Sequence, residues 1–136
     1  MTEPALGIDI SKLKFNVSLI QPSGKLKHRV FPNTAAGFEQ LREWLAKLGV
    51  ERVHACLEAT GTYSEALALF LCEAGHLVSV VNPAAVKAFA QSRLSRTKTD
   101  KVDAELIARF TVAQTPPCWT PPAPEVQELQ ALVRRP

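Results

Sequence analysis

Three short runs near the start of the chain decide the fold: ALGIDI (Ala5–Ile10), KFNVSLI (Lys14–Ile20) and LKHRVF (Leu26–Phe31). The first is mostly apolar, the pattern of a buried strand. The second alternates polar and apolar residues with period two, which predicts a strand with one face in the core. Gln21-Pro22-Ser23-Gly24 separates it from the third run. Turn residues between two alternating runs signal a hairpin. The three runs therefore predict an antiparallel meander.

Downstream the period changes. Asn33-Thr34 offers a helix cap, and Phe38, Leu41, Trp44, Leu45 and Leu48 repeat at helical spacing before Gly49. Val53 to Leu57 reads as a short strand, Thr62 to Ala74 as a helix closed by Gly75, and Leu77 to Val81 as a buried strand. Pro83 opens a helix to about Gln91, since proline suits a first helical turn. A last helix is expected from about Thr99 to Ala113. The order β-β-β-α-β-α-β-α-α predicts an α/β protein with a mixed sheet and helices on both faces. Ribonuclease-H-like folds and the actin-like ATPase half-domain share that order.

The chain has 136 residues, of which 46% are hydrophobic, enough for one domain with a core and too apolar for a disordered tail. No apolar run approaches the roughly 18–20 residues of a membrane span. No export signal is visible at the N-terminus, and three Cys are too few for a secreted disulfide framework. A soluble cytoplasmic protein is the expectation. The domain is expected over residues 1–114. Residues 115–124 hold five of the ten prolines and read as a stiff linker. Residues 125–136 read as the severed start of an amphipathic helix leading into a longer protein, or as a helix folding back on the domain.

Four acids stand out. Asp9 sits inside an apolar strand between Ile8 and Ile10, where an unpartnered carboxylate is costly. Taken alone it reads as a strand-end cap. Glu58 ends the next apolar strand, ahead of Ala59-Thr60-Gly61, at the strand end where α/β sheets place their sites. Taken alone it reads as a surface loop residue. Asp100 and Asp103 share one side of the last helix, and Asp103 projects between Phe110 and Ile107, within the apolar stripe. A solvated face does not explain Asp103; a buried ion pair with Arg93 or Arg96 does, and so does a metal ion. Four carboxylates from two strands and one helix form an all-oxygen donor set suited to Mg²⁺ or Mn²⁺. Without a cation they would repel one another. A pair of such ions stabilises the attacking and leaving oxygens of a phosphodiester displacement. His28, His54 and His76 are scattered, and Cys56, Cys72 and Cys118 form no pair motif, so zinc is not indicated.

Arg93, Arg96, Lys98 and Lys101 lie just before and within the helix bearing the acidic pair, interleaved with Ser and Thr. Cations mixed with hydroxyls suit phosphate contact. Lys12 and Lys14 follow Asp9 and flank the same groove. Setting aside the four acids as metal-neutralised leaves 16 cations against nine anions, or +7, a better nucleic-acid footprint than the formal +3. Tyr63 and Trp119 are candidates for base stacking, with ordinary packing the preferred role for both.

The segments Gly7-Ile8-Asp9-Ile10-Ser11-Lys12, Leu57-Glu58-Ala59-Thr60-Gly61 and Arg96-Thr97-Lys98-Thr99-Asp100-Lys101-Val102-Asp103-Ala104 resemble the N-terminal DEDD domain of bacterial transposases of the insertion-sequence 110 family. The resemblance covers about residues 5–113. It implies a fold similar to RuvC, an RNase-H-like nuclease, with Asp9, Glu58, Asp100 and Asp103 as the metal-binding catalytic tetrad. It further implies a following coiled coil and a second transposase domain carrying a serine used in strand exchange. Guidance by a bridge RNA and assembly of dimers into a tetramer on DNA are also implied.

Two other readings stay open. Gly7-Ile8-Asp9 resembles the first phosphate loop of an actin-like or sugar-kinase-like ATPase half-domain, although Ser11-Lys12-Leu13-Lys14 is not Gly-rich. The chain also fits a non-catalytic nucleic-acid-binding or dimerisation module that keeps the fold alone.

Overall fold

The computed structural model describes residues 3–59, 61–92 and 100–120, with only the backbone at 61, 92 and 100–102. Five strands form one sheet in the order β3-β2-β1-β4-β5: β1 (Ala5–Ile10), β2 (Lys14–Ile20), β3 (Leu26–Pro32), β4 (His54–Glu58) and β5 (Leu77–Val81). β1 pairs antiparallel with β2, and β2 with β3, as the meander predicts. β4 runs parallel to both β1 and β5, so the sheet is mixed. The helices are α1 (Ala35–Lys47), α2 (Glu65–Glu73), α3 (Pro83–Ser92) and α4 (Asp100–Gln114).

Local chemistry sets most boundaries. The Thr34 side chain accepts from the Gly37 backbone N–H at 3.1 Å and caps α1. Gly49 and Gly75 stand at φ +74° and +94° just beyond α1 and α2, in the left-handed region that ends helices. Two expected boundaries differ. β4 begins at His54 rather than Val53, because the Val53 N–H donates to His76 Nδ1 at 3.1 Å instead of joining a ladder. Gly61–Ser64 forms a 3₁₀ turn ahead of α2, and Ser64 makes no side-chain cap bond there.

Strand alternation divides the buried residues into two layers. Leu6, Ile8 and Ile10 of β1 join Phe15, Val17 and Leu19 of β2 and Ala55 and Leu57 of β4. Phe38, Leu41 and Leu45 of α1 and Leu67 and Leu71 of α2 close over them. On the other face Cys56 packs with Val86 of α3 and Ile107 and Phe110 of α4. Helices therefore cover both faces, as expected.

The second face is small and polar where the first is apolar. Gly7, Asn16, Ser18, Cys56 and Ser79 belong to it, and all five are buried. Ser18 Oγ lies 2.6 Å from His28 Nδ1, whose Nε2 is 3.8 Å from Glu105 of α4. Arg109 donates to Glu105 in turn at 2.9 Å. On the opposite flank Ser79 Oγ lies 2.7 Å from His54 Nε2 and donates to the Pro116 and Pro117 carbonyls. Every buried side-chain polar atom among the described residues has a partner.

Residues 115–120 run along β5. The Trp119 N–H donates to the Val78 carbonyl at 2.6 Å, and the indole packs against the main core. Residues 121–136, including the expected terminal helix, lie outside the described residues. Among the described residues no helix is long and apolar enough to cross a membrane.

Gly7 is where α4 meets the sheet. A Cβ there would sit 2.1 Å from the Ala104 carbonyl oxygen and 2.3 Å from the Ala108 nitrogen, both backbone atoms of α4. Gly7→Ala is expected to cost at least about 3 kcal/mol in urea unfolding. Gly75→Ala meets open space and costs about 1 kcal/mol for its positive φ. Equal losses at the two positions would show that α4 does not rest on Gly7.

Burial holds both His54 and His76 below the ordinary histidine value of 6.5; a smaller pull from Glu3 opposes it at His54, and Arg52 adds to it at His76. Protonation of His76 would also disrupt its acceptance from the Val53 N–H. Below pH 6.5 the unfolded chain binds more protons than the folded one, so this stability is complete above 6.5 and falls as pH drops below it. Denaturation of the wild type and of the His54→Gln, His76→Gln double variant at pH 7.5 and about pH 5 should show the greater loss in the wild type. Equal losses would sink the assignment.

Candidate functional site

The expected site lies at the carboxyl ends of β1 and β4, the two parallel strands at the centre of the sheet. Their register pairs Gly7 with Cys56 and Ile8 with Leu57, which sets Asp9 and Glu58 one step further on, side by side. Residues level across a parallel pair share a face, so both acids stand on the Gly7 and Cys56 face, the side covered by α4. Adjacent strands are about 4.8 Å apart, which keeps the two backbone positions close. Both residues are half-buried.

α4 brings the third and fourth positions. Its Ala104 and Ala108 lie against Gly7, while Thr111 and Thr115 share a cavity with Ala5, His54 and Leu77 at the opposite strand ends. The helix thus runs antiparallel to β1, with its N-terminus toward the carboxyl ends of β1 and β4. From Ala104, one helical turn back to Asp100 covers about 6 Å. From Gly7, two residues forward to Asp9 cover about 6.6 Å. The Asp100 backbone position is therefore about level with Asp9. Asp103, one turn from Ile107 on the same helix, is half-buried. The helix N-terminus carries partial positive charge, which favours carboxylates nearby.

Asp9, Glu58 and Asp103 all take part in polar or electrostatic interactions. The side chains of Asp100 and Lys101 lie outside the described residues, as do Arg93, Arg96 and Lys98 altogether. Among the described residues no group of three or more His, Cys, Asp or Glu is assembled to hold a metal ion. The donor set expected for one, Asp9, Glu58, Asp100 and Asp103, is all carboxylate, and its chemistry fits Mg²⁺ or Mn²⁺.

The surroundings are specific. Ser11 donates twice to the Lys14 carbonyl, from N–H and Oγ, each at 2.9 Å, which closes the β1–β2 turn on itself. This tight turn does not resemble an open glycine-rich phosphate loop. Asn33 Nδ2 donates to the Ser11 carbonyl at 2.9 Å and reaches the Tyr63 carbonyl at 3.4 Å, tying that turn to the 3₁₀ segment after Glu58. Lys12 stands exposed in the turn. Tyr63, for which packing was the preferred role, is 46% exposed at the same end of the sheet.

Two features of the face were not legible beforehand. Cys56 lies two residues before Glu58, beneath α4, and burial pushes its thiol up to about 11, with Glu58 adding to the rise and a Thr111 hydrogen bond opposing it. At that value the thiol is neutral at pH 7. Ser18, His28 and Glu105 outline a nucleophile–base–acid sequence, but Ser18 is 0% exposed, so the group braces α4 instead. Alternation put Ser18 on the polar side of β2, away from the core, and only the β2–β3 register shows His28 opposite it.

The chain is 37% identical to the pilin gene-inverting protein of Moraxella bovis over 99% of its own length, and 36% identical to that of Moraxella lacunata. It spans 42% of the length of each relative. A family described as transposase, the DEDD transposases of the insertion-sequence 110 type, matches residues 6–136. With that match over nearly the whole sequence, the chain belongs to the insertion-sequence 110 family of DEDD transposases.

Proposed function

We propose that this chain is the N-terminal catalytic domain of a transposase or DNA recombinase, and that Asp9, Glu58, Asp100 and Asp103 carry its phosphodiester cleavage or strand transfer. The supporting observation is the shared location of Asp9 and Glu58. They end adjacent parallel strands on one face, under the helix end that bears Asp100 and Asp103. The relatives' name, pilin gene-inverting protein, describes a DNA rearrangement and supports DNA as the substrate class.

The four carboxylates would hold Mg²⁺ or Mn²⁺. When bound, such ions polarise the phosphodiester and stabilise its attacking and leaving oxygens. The protein's own part is to fix the carboxylates. The two strands set Asp9 and Glu58, and the contact between α4 and Gly7 sets the depth of Asp103. Lys12, Arg93, Arg96, Lys98 and Lys101 supply phosphate contacts around them. A bridge RNA and homo-oligomeric assembly of the full-length protein in the cytoplasm belong to the same proposal.

Asp9→Asn, Glu58→Gln and Asp103→Asn are each expected to reduce recombination by the full-length protein about a thousandfold or more, a loss of about 4 kcal/mol in transition-state stabilisation. Retention of activity by any of them would remove that residue from the tetrad. In the metal-free chain Asp103→Asn is expected to melt at the same temperature as the wild type or a few degrees higher, since one of several like charges is removed. Mn²⁺ should raise the wild-type melting temperature and leave the variant's unchanged. A variant that melts several degrees lower without metal would instead mark Asp103 as one half of a buried ion pair.

A further inference from the structure

The sheet has two edges of different character. At β5 the chain covers its own edge, with Trp119 bonded to Val78 and Pro116 and Pro117 bonded to Ser79. Among the described residues β3, at the other edge, has β2 on one side and no strand on the other. Between Asp9 and Glu39 there is no acidic residue, and there are five cations: Lys12, Lys14, Lys25, Lys27 and Arg29. The rest of the sequence carries 11 cations against 13 anions. The excess positive charge of the chain therefore resides on the β2–β3 hairpin and the turn that precedes it.

The geometry of those cations is ordered. Lys27 and Arg29 are two residues apart on one strand and share a face. Arg29 lies over the Phe31 ring, 5.9 Å from its centroid, so a buried aromatic supports the guanidinium. Lys25 lies at the turn before them, and Lys14, opposite Pro32, stands at the carboxylate end of the sheet on the other face. Lys25, Lys27 and Arg29 have no carboxylate partner within ion-pair distance among the described residues. Seven residues of strand cover about 23 Å, the length of roughly seven base pairs of duplex. Lysines on an edge strand also discourage edge-to-edge aggregation. That role does not require five cations without a single acid over a stretch of sequence this long.

We propose that the open β3 edge, bearing Lys25, Lys27 and Arg29, is a docking track for the phosphodiester backbone of a nucleic-acid duplex, running toward the carboxylate end of the sheet. This rests on the reading of the chain as one that acts on nucleic acid. It adds a contact surface separate from the cations at 93–101.

The test is fluorescence anisotropy with the 136-residue chain in EDTA, so that metal-dependent events do not contribute. Labelled duplexes of about 24 base pairs, one DNA and one RNA of the same sequence, are titrated between about 50 and 200 mM salt. The Lys25→Gln, Lys27→Gln, Arg29→Gln variant is expected to bind at least about tenfold more weakly at low salt. Its slope of log affinity against log salt should be shallower by about 2–3. The Lys25→Arg, Lys27→Arg, Arg29→Lys variant keeps the charges and should bind like the wild type. Removing as much charge elsewhere, by Arg42→Gln, Lys47→Gln and Arg52→Gln, should change affinity less than about twofold. Comparison of the two duplexes identifies which nucleic acid the track prefers. If the wild type binds a duplex and the edge variant binds with the same slope, or the control loses as much as the edge variant, the track is overturned while the nucleic-acid reading stands. If the wild type binds neither duplex, both fall together.

Discussion

The structure depends on the close approach between the backbone of α4 and that of β1 at Gly7. Any side chain at that position would occupy the space taken by Ala104 and Ala108. Helix and strand can touch only because all three residues are small. The approach fixes how deep α4 lies, and with it the depth of Asp103. A larger residue at Gly7 would lift the helix end that carries two acids away from the strand ends that carry the other two.

The polar character of the face beneath α4 follows from the same constraint. Large apolar side chains there would hold the helix off the sheet. The strands instead offer Gly7, Ser18, Cys56 and Ser79, and the polar atoms among them are satisfied in short chains of hydrogen bonds. Ser18, His28, Glu105 and Arg109 link β2 and β3 to the middle of α4. His54, Ser79 and the Pro116 and Pro117 carbonyls link β4 and β5 to the segment after α4. Large apolar residues dominate the opposite face, where α1 and α2 pack at ordinary distance. One sheet thus provides both a hydrophobic core and a thin polar bed for a helix.

Much of the fold was legible because the signals were local. Period-two alternation in Lys14–Ile20, the Thr34 cap, and Gly49 and Gly75 each act within a few residues of their effect. Asp103 was legible as a buried-side acid because helical periodicity places it between Ile107 and Phe110. Long-range features were not. Gly7 read as one more member of an apolar run, since its partners lie almost a hundred residues away. The residues after α4 read as a stiff linker from their proline content, and nothing in that composition announces Ser79 or Val78 as partners. Val53 read as the start of a strand, but His76, distant in sequence, takes its N–H.

The strap across β5 also separates two kinds of edge. Trp119 anchors the polypeptide at the rim formed by β5, and four inter-strand gaps, about 19 Å, separate that rim from β3. A long polyanion lying against the lysine-rich rim would therefore leave the opposite flank, with its strap, untouched.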